Sequence, residues 1–208
     1  MTRHITAVPL HELLAHLPAG AAFRGLQNPD VLHSSVMRLF GPLPQSPGSG
    51  ARAAAGVLFR VEPVTDGVVP FALIRSKFAP VISTPTMRSG ADLPTPAAGA
   101  VVSFRMAVNA VRRGRWTQNG SGGVSPIAEE HLPEYLAGRL APALTDIVTL
   151  NHTRTVIGLK GNGRAPVQTD LFDGVGIVDD PVALEHALEH GVGRAKNFGC
   201  GMLTVRSS

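Results

Sequence analysis

Two stretches carry side chains whose types and spacing suit chemistry. The first is NPDVLHSSVMRLF (28–40), where Asp30 and His33 stand three residues apart. On a helix that spacing places them on neighbouring faces. Histidine titrates near neutrality and can take or give a proton. A carboxylate beside it would fix its tautomer and raise its proton affinity. Asp30 lies two residues past the N-cap Asn28, so it equally suits a plain anion complementing the helix N-terminus. The second stretch is GVGRAKNFGCGMLTV (191–205). Gly191, Gly193, Gly199 and Gly201 crowd a short loop with Arg194 and Lys196. Glycine loses more conformational freedom than any other residue on ordering, so such a run marks positive φ or close backbone approach. Successive backbone N–H groups there can form an anion-accepting concavity.

Other polar groups offer less. His186 and His190 have the i,i+4 spacing of a metal pair, but no third ligand accompanies them and no metal site is expected. Lys160, in the Leu-Lys-Gly-Asn-Gly turn, is a possible cation for a charged transition state. The single cysteine, Cys200, excludes an internal disulfide framework and fits a reducing cytoplasm, where it reads as a small buried filler.

The 16 arginines outnumber the 3 lysines, and the formal net charge is +4. Between Asp92 and Glu129 there is no acidic residue, yet Arg105, Arg112, Arg113 and Arg115 fall there beside Trp116. Arginine forks onto phosphates and stacks on bases, so this stretch suits a polyanion. No apolar run is long enough to span a bilayer. The N-terminus lacks the features of a secretory signal, and no membrane partner is expected.

These residues need a scaffold. ITAVPL (5–10) reads as a strand and 28–41 as a helix, with Pro29 at its first position and Gly41-Pro42 ending it. Strands are expected at 54–63 and 68–76, joined across Asp66-Gly67. LPTPAAG (93–99) reads as a linker between an N-terminal domain (1–92) and a C-terminal domain (100–208). Beyond it come a strand at 100–111, a helix at 131–144, three strands between 145 and 178, a helix capped by Asp180, and a closing strand. With one strand to spare between its helices, the second half reads as the β-α-β-β-α-β plan and the first half as an abbreviated copy. The expected fold is α+β, tandem ferredoxin-like (RRM-like) domains with a C-terminal glycine-rich loop.

Three stretches resemble the CasE-type CRISPR RNA-processing endoribonucleases, the repeat-cleaving subunit of the type I-E Cascade complex. NPDVLHSSVMRLF is similar to the family's Asn-Pro-Tyr-x-x-His helix. VVSFRMAVNAVRRGR (101–115) is similar to its Phe-Arg-x-x-Ala-Asn-Pro strand and basic segment. Residues 171–205 resemble its C-terminal strand, Asp-Pro helix and glycine-rich loop. The resemblance implies a metal-independent, cofactor-free endoribonuclease in the cytoplasm. A ribose 2′-OH would attack the adjacent phosphate of a CRISPR repeat hairpin RNA. The crRNA product would then be held for the other Cascade subunits. It implies His33 as catalytic histidine, base or acid, with Asp30 and Lys160 as further candidates. Arg105, Arg112, Arg113, Arg115, Arg194, Lys196 and the four loop glycines would meet RNA. Asp30 stands where many relatives carry tyrosine, which keeps open a second reading as a repeat-binding subunit that cuts weakly or not at all.

Overall fold

Helix formation around His33 follows directly from local chemistry. Asn28 takes extended backbone and its side-chain oxygen accepts from Asp30 N at 3.0 Å. That satisfies one of the N–H groups a helix start leaves unpaired. Pro29 begins the helix, which runs Pro29–Arg38. Leu32, Val36, Leu39 and Phe40 recur at helical spacing and are all buried. The chain leaves at Gly41, whose φ is +62°. Leu39 O is then taken by Val81 N at 2.9 Å and Ile82 N at 3.0 Å.

In this computed structural model the described residues are 3–18, 20, 28–43, 50–63, 67–114, 123–158 and 166–207. The elements are β1 (His4–Pro9), α1 (Leu10–Leu13), α2 (Pro29–Arg38), α3 (Ala51–Ala54), β2 (Leu58–Glu62), β3 (Phe71–Ser76) and β4 (Arg88–Ala91). There follow β5 (Val101–Val108), β6 (Val111–Arg113), β7 (Val124–Pro126), α4 (Leu132–Leu140), β8 (Leu144–Ile157), β9 (Val167–Val178), α5 (Pro181–His190) and β10 (Leu203–Ser207). A 3₁₀ turn at Lys196–Phe198 interrupts the loop between α5 and β10.

The first sheet has the order β2-β3-β1-β4 and the second β10-β5-β9-β8, every neighbouring pair antiparallel. Numbered within its own half, each sheet runs second-third-first-fourth or its reverse, the ferredoxin-like order. The second half is complete, with α4 and α5 as its helices. The first half is the abbreviated copy, because residues 77–87 between β3 and β4 form no helix. Each half has its own core. Val8, Leu32, Val36, Phe59 and Ile74 lie in one, and Phe104, Met106, Leu136, Phe172, Leu184 and Leu203 in the other. Burying each such side chain is worth about 1.5–3 kcal/mol, so both cores are substantial.

Several expected boundaries shift. The strand expected from residue 54 starts at Leu58, because the alanine-rich 51–54 segment takes a helical turn. The strand over 100–111 ends at Val108 and restarts as the short β6–β7 hairpin. The helix over 131–144 ends at Leu140, ahead of the Ala141-Pro142 peptide. The two strands expected from residue 145 onward form, over the described residues, one strand, β8, with bulges near Thr145 and Thr149, and the end of the second at 159–163 lies outside the described residues. The polar Asn151-His152-Thr153 run does not break it, since His152 stacks on Phe172 at 4.6 Å and bonds Asp170 at 2.9 Å.

Polar groups fasten the two halves together. Arg60, on β2, is 2% exposed and spends its donors across the seam. It donates to Glu62 Oε1, to the carbonyls of Arg105 and Met202 at 2.9 and 3.0 Å, and to Thr204 Oγ1 at 3.1 Å. Arg75, on β3, donates to Asp92 Oδ2 at 2.6 Å and to the carbonyls of Leu188 and Leu203 at 3.2 and 2.6 Å. Lys77 meets Glu189 at 2.8 Å, and Arg3 and Thr95 both meet Glu185. A buried guanidinium is tolerable only when its donors are matched, and these carbonyls and carboxylates match them.

Candidate functional site

The cap and apolar face of α2 fix the orientation of His33. Its Nδ1 is buried and has no hydrogen-bond partner among the described residues. Burial lowers its proton affinity below the usual histidine value, the Arg52 guanidinium lowers it further, and the Asp30 charge opposes both. The imidazole is therefore held neutral at neutral pH, the form that accepts a proton. Asp30 contributes to helix capping through its backbone and to His33 through its charge.

The glycine-rich loop brings a second cation to this place. Its 3₁₀ turn packs against α2 and β2. Lys196 Nζ donates to His190 O at 2.7 Å, which closes the loop onto the end of α5. Burial and the nearby Arg52 both lower the Lys196 proton affinity. Arg52 is anchored by Nη1 donating to Val57 O at 2.7 Å. His33 and Lys196, from two separate segments, thus both feel the Arg52 charge, and the turn that carries Lys196 packs on the His33 helix.

The loop glycines have separate reasons. Gly201 has φ +85°, and a Cβ there would sit 2.7 Å from Val192 O. Gly191 has φ +73°, and a Cβ would lie 2.8 Å from Leu58 Cδ2, across the seam. Gly199 packs on Phe59, while Gly193 faces open space next to exposed Arg194. Cys200 is buried, bonded to Thr169 Oγ1, and its thiol is pushed up to about 11 by burial. At neutral pH it is a thiol and no nucleophile.

The acid-free basic stretch divides between two places. Arg105 lies at the seam, where its guanidinium grips Asp173 through two nitrogens and Glu62 Oε2 at 2.9 Å. Arg112 is exposed on the β6–β7 hairpin, with Arg113 on the same strand. Lys160, Arg115 and the Arg113 side chain lie outside the described residues. His186 and His190 stack on each other at 4.3 Å.

Sequence reasoning missed two things. Arg52 sits in a run of alanines, and nothing local distinguishes it. Asp170, fully buried, is the other. It accepts from His152 Nε2 at 2.9 Å, Arg154 Nε at 2.7 Å and Gln168 Nε2 at 2.7 Å. Arg154 also donates to Ile127 O at 2.8 Å, and Asn109 Nδ2 donates to Gln168 O at 2.7 Å. This network anchors both ends of the segment that carries the β6–β7 hairpin.

A family model described as CRISPR-associated protein matches residues 10–207. The chain belongs to this family. Solved structures share its fold. Thermus thermophilus Cse3, bound to an RNA representing a pre-cleavage complex, is 22% identical over 99% of this chain and 100% of that one, with a TM-score of 0.74. The CRISPR-associated protein Cas6e from Escherichia coli K-12 is 21% identical over 99% and 100%, with a TM-score of 0.67. A chain of a CRISPR RNA-guided surveillance complex is 18% identical over 100% of both chains, with a TM-score of 0.64. No curated protein gives a match. Among the described residues of this CRISPR-associated chain, no helix is long and apolar enough to cross a membrane.

Proposed function

We propose that this chain is a metal-independent endoribonuclease that cuts CRISPR precursor RNA at its repeat hairpin and keeps the crRNA for Cascade assembly. The observation that carries this reading is the packing of the Lys196 turn of the glycine-rich loop on the helix of His33, with Arg52 acting on the charge of both side chains. The fold shared with an RNA-bound Cse3 and with a chain of a CRISPR RNA-guided surveillance complex supports the substrate class and the partner.

In this reading His33 takes the proton from the ribose 2′-OH, and the oxygen attacks the adjacent phosphorus. The P–O5′ bond breaks, giving a 2′,3′-cyclic phosphate on one fragment and a 5′-hydroxyl on the other. Arg52 and Lys196 offset the extra negative charge of the phosphorane. Lys196, which holds its proton less tightly than an ordinary lysine, is the group we assign as acid at O5′. Arg112 and Arg113 grip phosphates of the stem, with Arg115 and Arg194 extending that path. A-form RNA is read through its shape and backbone, which suits an exposed arginine hairpin.

The test is cleavage of a repeat RNA from the source genome by excess protein in EDTA. Wild type runs beside His33→Ala and Arg52→Ala, with a 2′-deoxy substrate as control. Cleavage by wild type alone, blocked by the deoxy sugar, is the expected result. Equal cleavage by His33→Ala refutes the mechanism. Tight binding without cleavage by wild type supports the second reading, a repeat-holding subunit in which Asp30 marks a disabled site.

A further inference from the structure

Between α4 and the β6–β7 hairpin lies a cavity of about 390 Å³ to which the cleavage chemistry gives no role. Ile127 and Tyr135 form its apolar part, and Arg112, His131, Glu134 and Arg139 supply its polar groups. We propose that it holds one unpaired nucleotide of the bound RNA. This subsite rests on the endoribonuclease reading.

Four features point to a nucleotide. The volume falls in the range of small-ligand pockets, ~300–1,000 Å³. The Arg139 guanidinium lies over the Tyr135 ring, 5.1 Å from its centroid, and both groups offer planar faces to a base. Arg112 stands on the hairpin assigned to the RNA backbone, so a strand gripped there passes the cavity mouth. Glu134 is the carboxylate on the rim, and a carboxylate accepts from base N–H groups. Guanine offers two adjacent donors, N1–H and the 2-amino group, where uracil offers one, so the site favours guanine over uracil.

The walls are fixed before anything binds. Tyr135 Oη donates to Asn109 O at 3.4 Å, Ile127 N to Ala110 O at 2.9 Å, and Arg154 to Ile127 O. A preformed site avoids the ordering cost that weakens adaptable ones. Two arginines against one glutamate leave the rim net positive, which an acidic backbone matches.

The experiment places 2-aminopurine at each unpaired position in the loop or flanking the stem of a repeat hairpin from the source genome. With wild-type protein, one position quenches on binding. In Arg139→Gln and Tyr135→Leu that quench disappears and affinity falls about tenfold, within the range of one lost base stack. Arg139 is exposed, so its variant reports even if Tyr135→Leu misfolds. An RNA lacking the responsive nucleotide binds wild type and Arg139→Gln alike. Binding and cleavage by wild type with no responsive position, or an unchanged quench in Arg139→Gln, overturns the subsite and leaves the endoribonuclease reading standing. No binding of any hairpin overturns both.

Discussion

Gly201→Ala tests whether the glycine-rich loop holds Lys196 by close packing. A side chain at φ +85° costs ~1–2 kcal/mol, since Cβ crowds the following carbonyl. The new Cβ would also meet Val192 O at 2.7 Å and Lys196 Cγ at 3.1 Å. The backbone has little room to move away. Gly201 N donates to Ala107 O at 2.6 Å, and Gly201 O accepts from Val192 N at 2.8 Å. Relief of the overlap breaks one or both bonds, each worth ~1 kcal/mol. The sum is about 2–4 kcal/mol of lost stability. For a chain of this length that lowers Tm by about 4–16 °C. The control is Gly193→Ala, at φ +78° with nothing within 4 Å, which carries the backbone strain alone. Thermal unfolding followed by circular dichroism compares the two. Single-turnover cleavage at saturating RNA should fall 10- to 100-fold in Gly201→Ala, the order expected from a small misplacement of a catalytic group. Equal Tm values for the two variants refute the packing argument. A fallen Tm with an unchanged cleavage rate refutes the placement of Lys196 in the site.

The pH profile tests His33 as base. Its folded proton affinity is lowered, so single-turnover cleavage should be flat at neutral pH and fall only as pH drops below the ordinary histidine value of about 6.5. Arg52→Gln removes a depressing charge and should move that inflection up, whereas Asp30→Asn removes a raising one and should move it down. Glu62→Gln leaves the buried Arg60 without its carboxylate and should cost about 3 kcal/mol in denaturant unfolding, the lower end of the range because the carbonyl acceptors remain. Arg60→Met combined with Glu62→Leu should cost less than Glu62→Gln alone, since it leaves no buried guanidinium unpaired at position 60. Arg112→Ala should weaken hairpin binding and reduce the slope of log affinity against log salt by about 0.7–0.9, one phosphate contact. Arg105→Ala should instead act on stability, because its partners are Asp173 and Glu62.

The plan of the second ferredoxin-like unit was legible because several of its elements announce themselves. Asp180 followed by Pro181 starts α5, alternation marks β9, and Leu132, Leu136 and Leu140 keep helical period. The order of the halves and the His33 helix were equally readable. β4 was not, since Arg-Ser-Gly-Ala has no apolar alternation and every residue is exposed. It exists because β1 offers a free edge, with Thr6 and Ser89 bonded across the pair at 2.8 Å. Arg52 was invisible for a related reason, as its importance comes from what packs around it. The basic stretch read as one surface, but strand alternation and the break after Val108 send Arg105 to the seam and Arg112 to the hairpin.

The seam has a consequence for the order of synthesis. Met202, Leu203 and Thr204, which receive Arg60 and Arg75, leave the ribosome long after β2 and β3. Lys196 also emerges late. A nascent chain can fold its first sheet and helix α2, yet it exposes Arg60 and Arg75 to water and lacks one cation of its site. In the proposed reading, assembly of the cleaving centre therefore waits for the last strand, and a prematurely terminated chain carries His33 without Lys196.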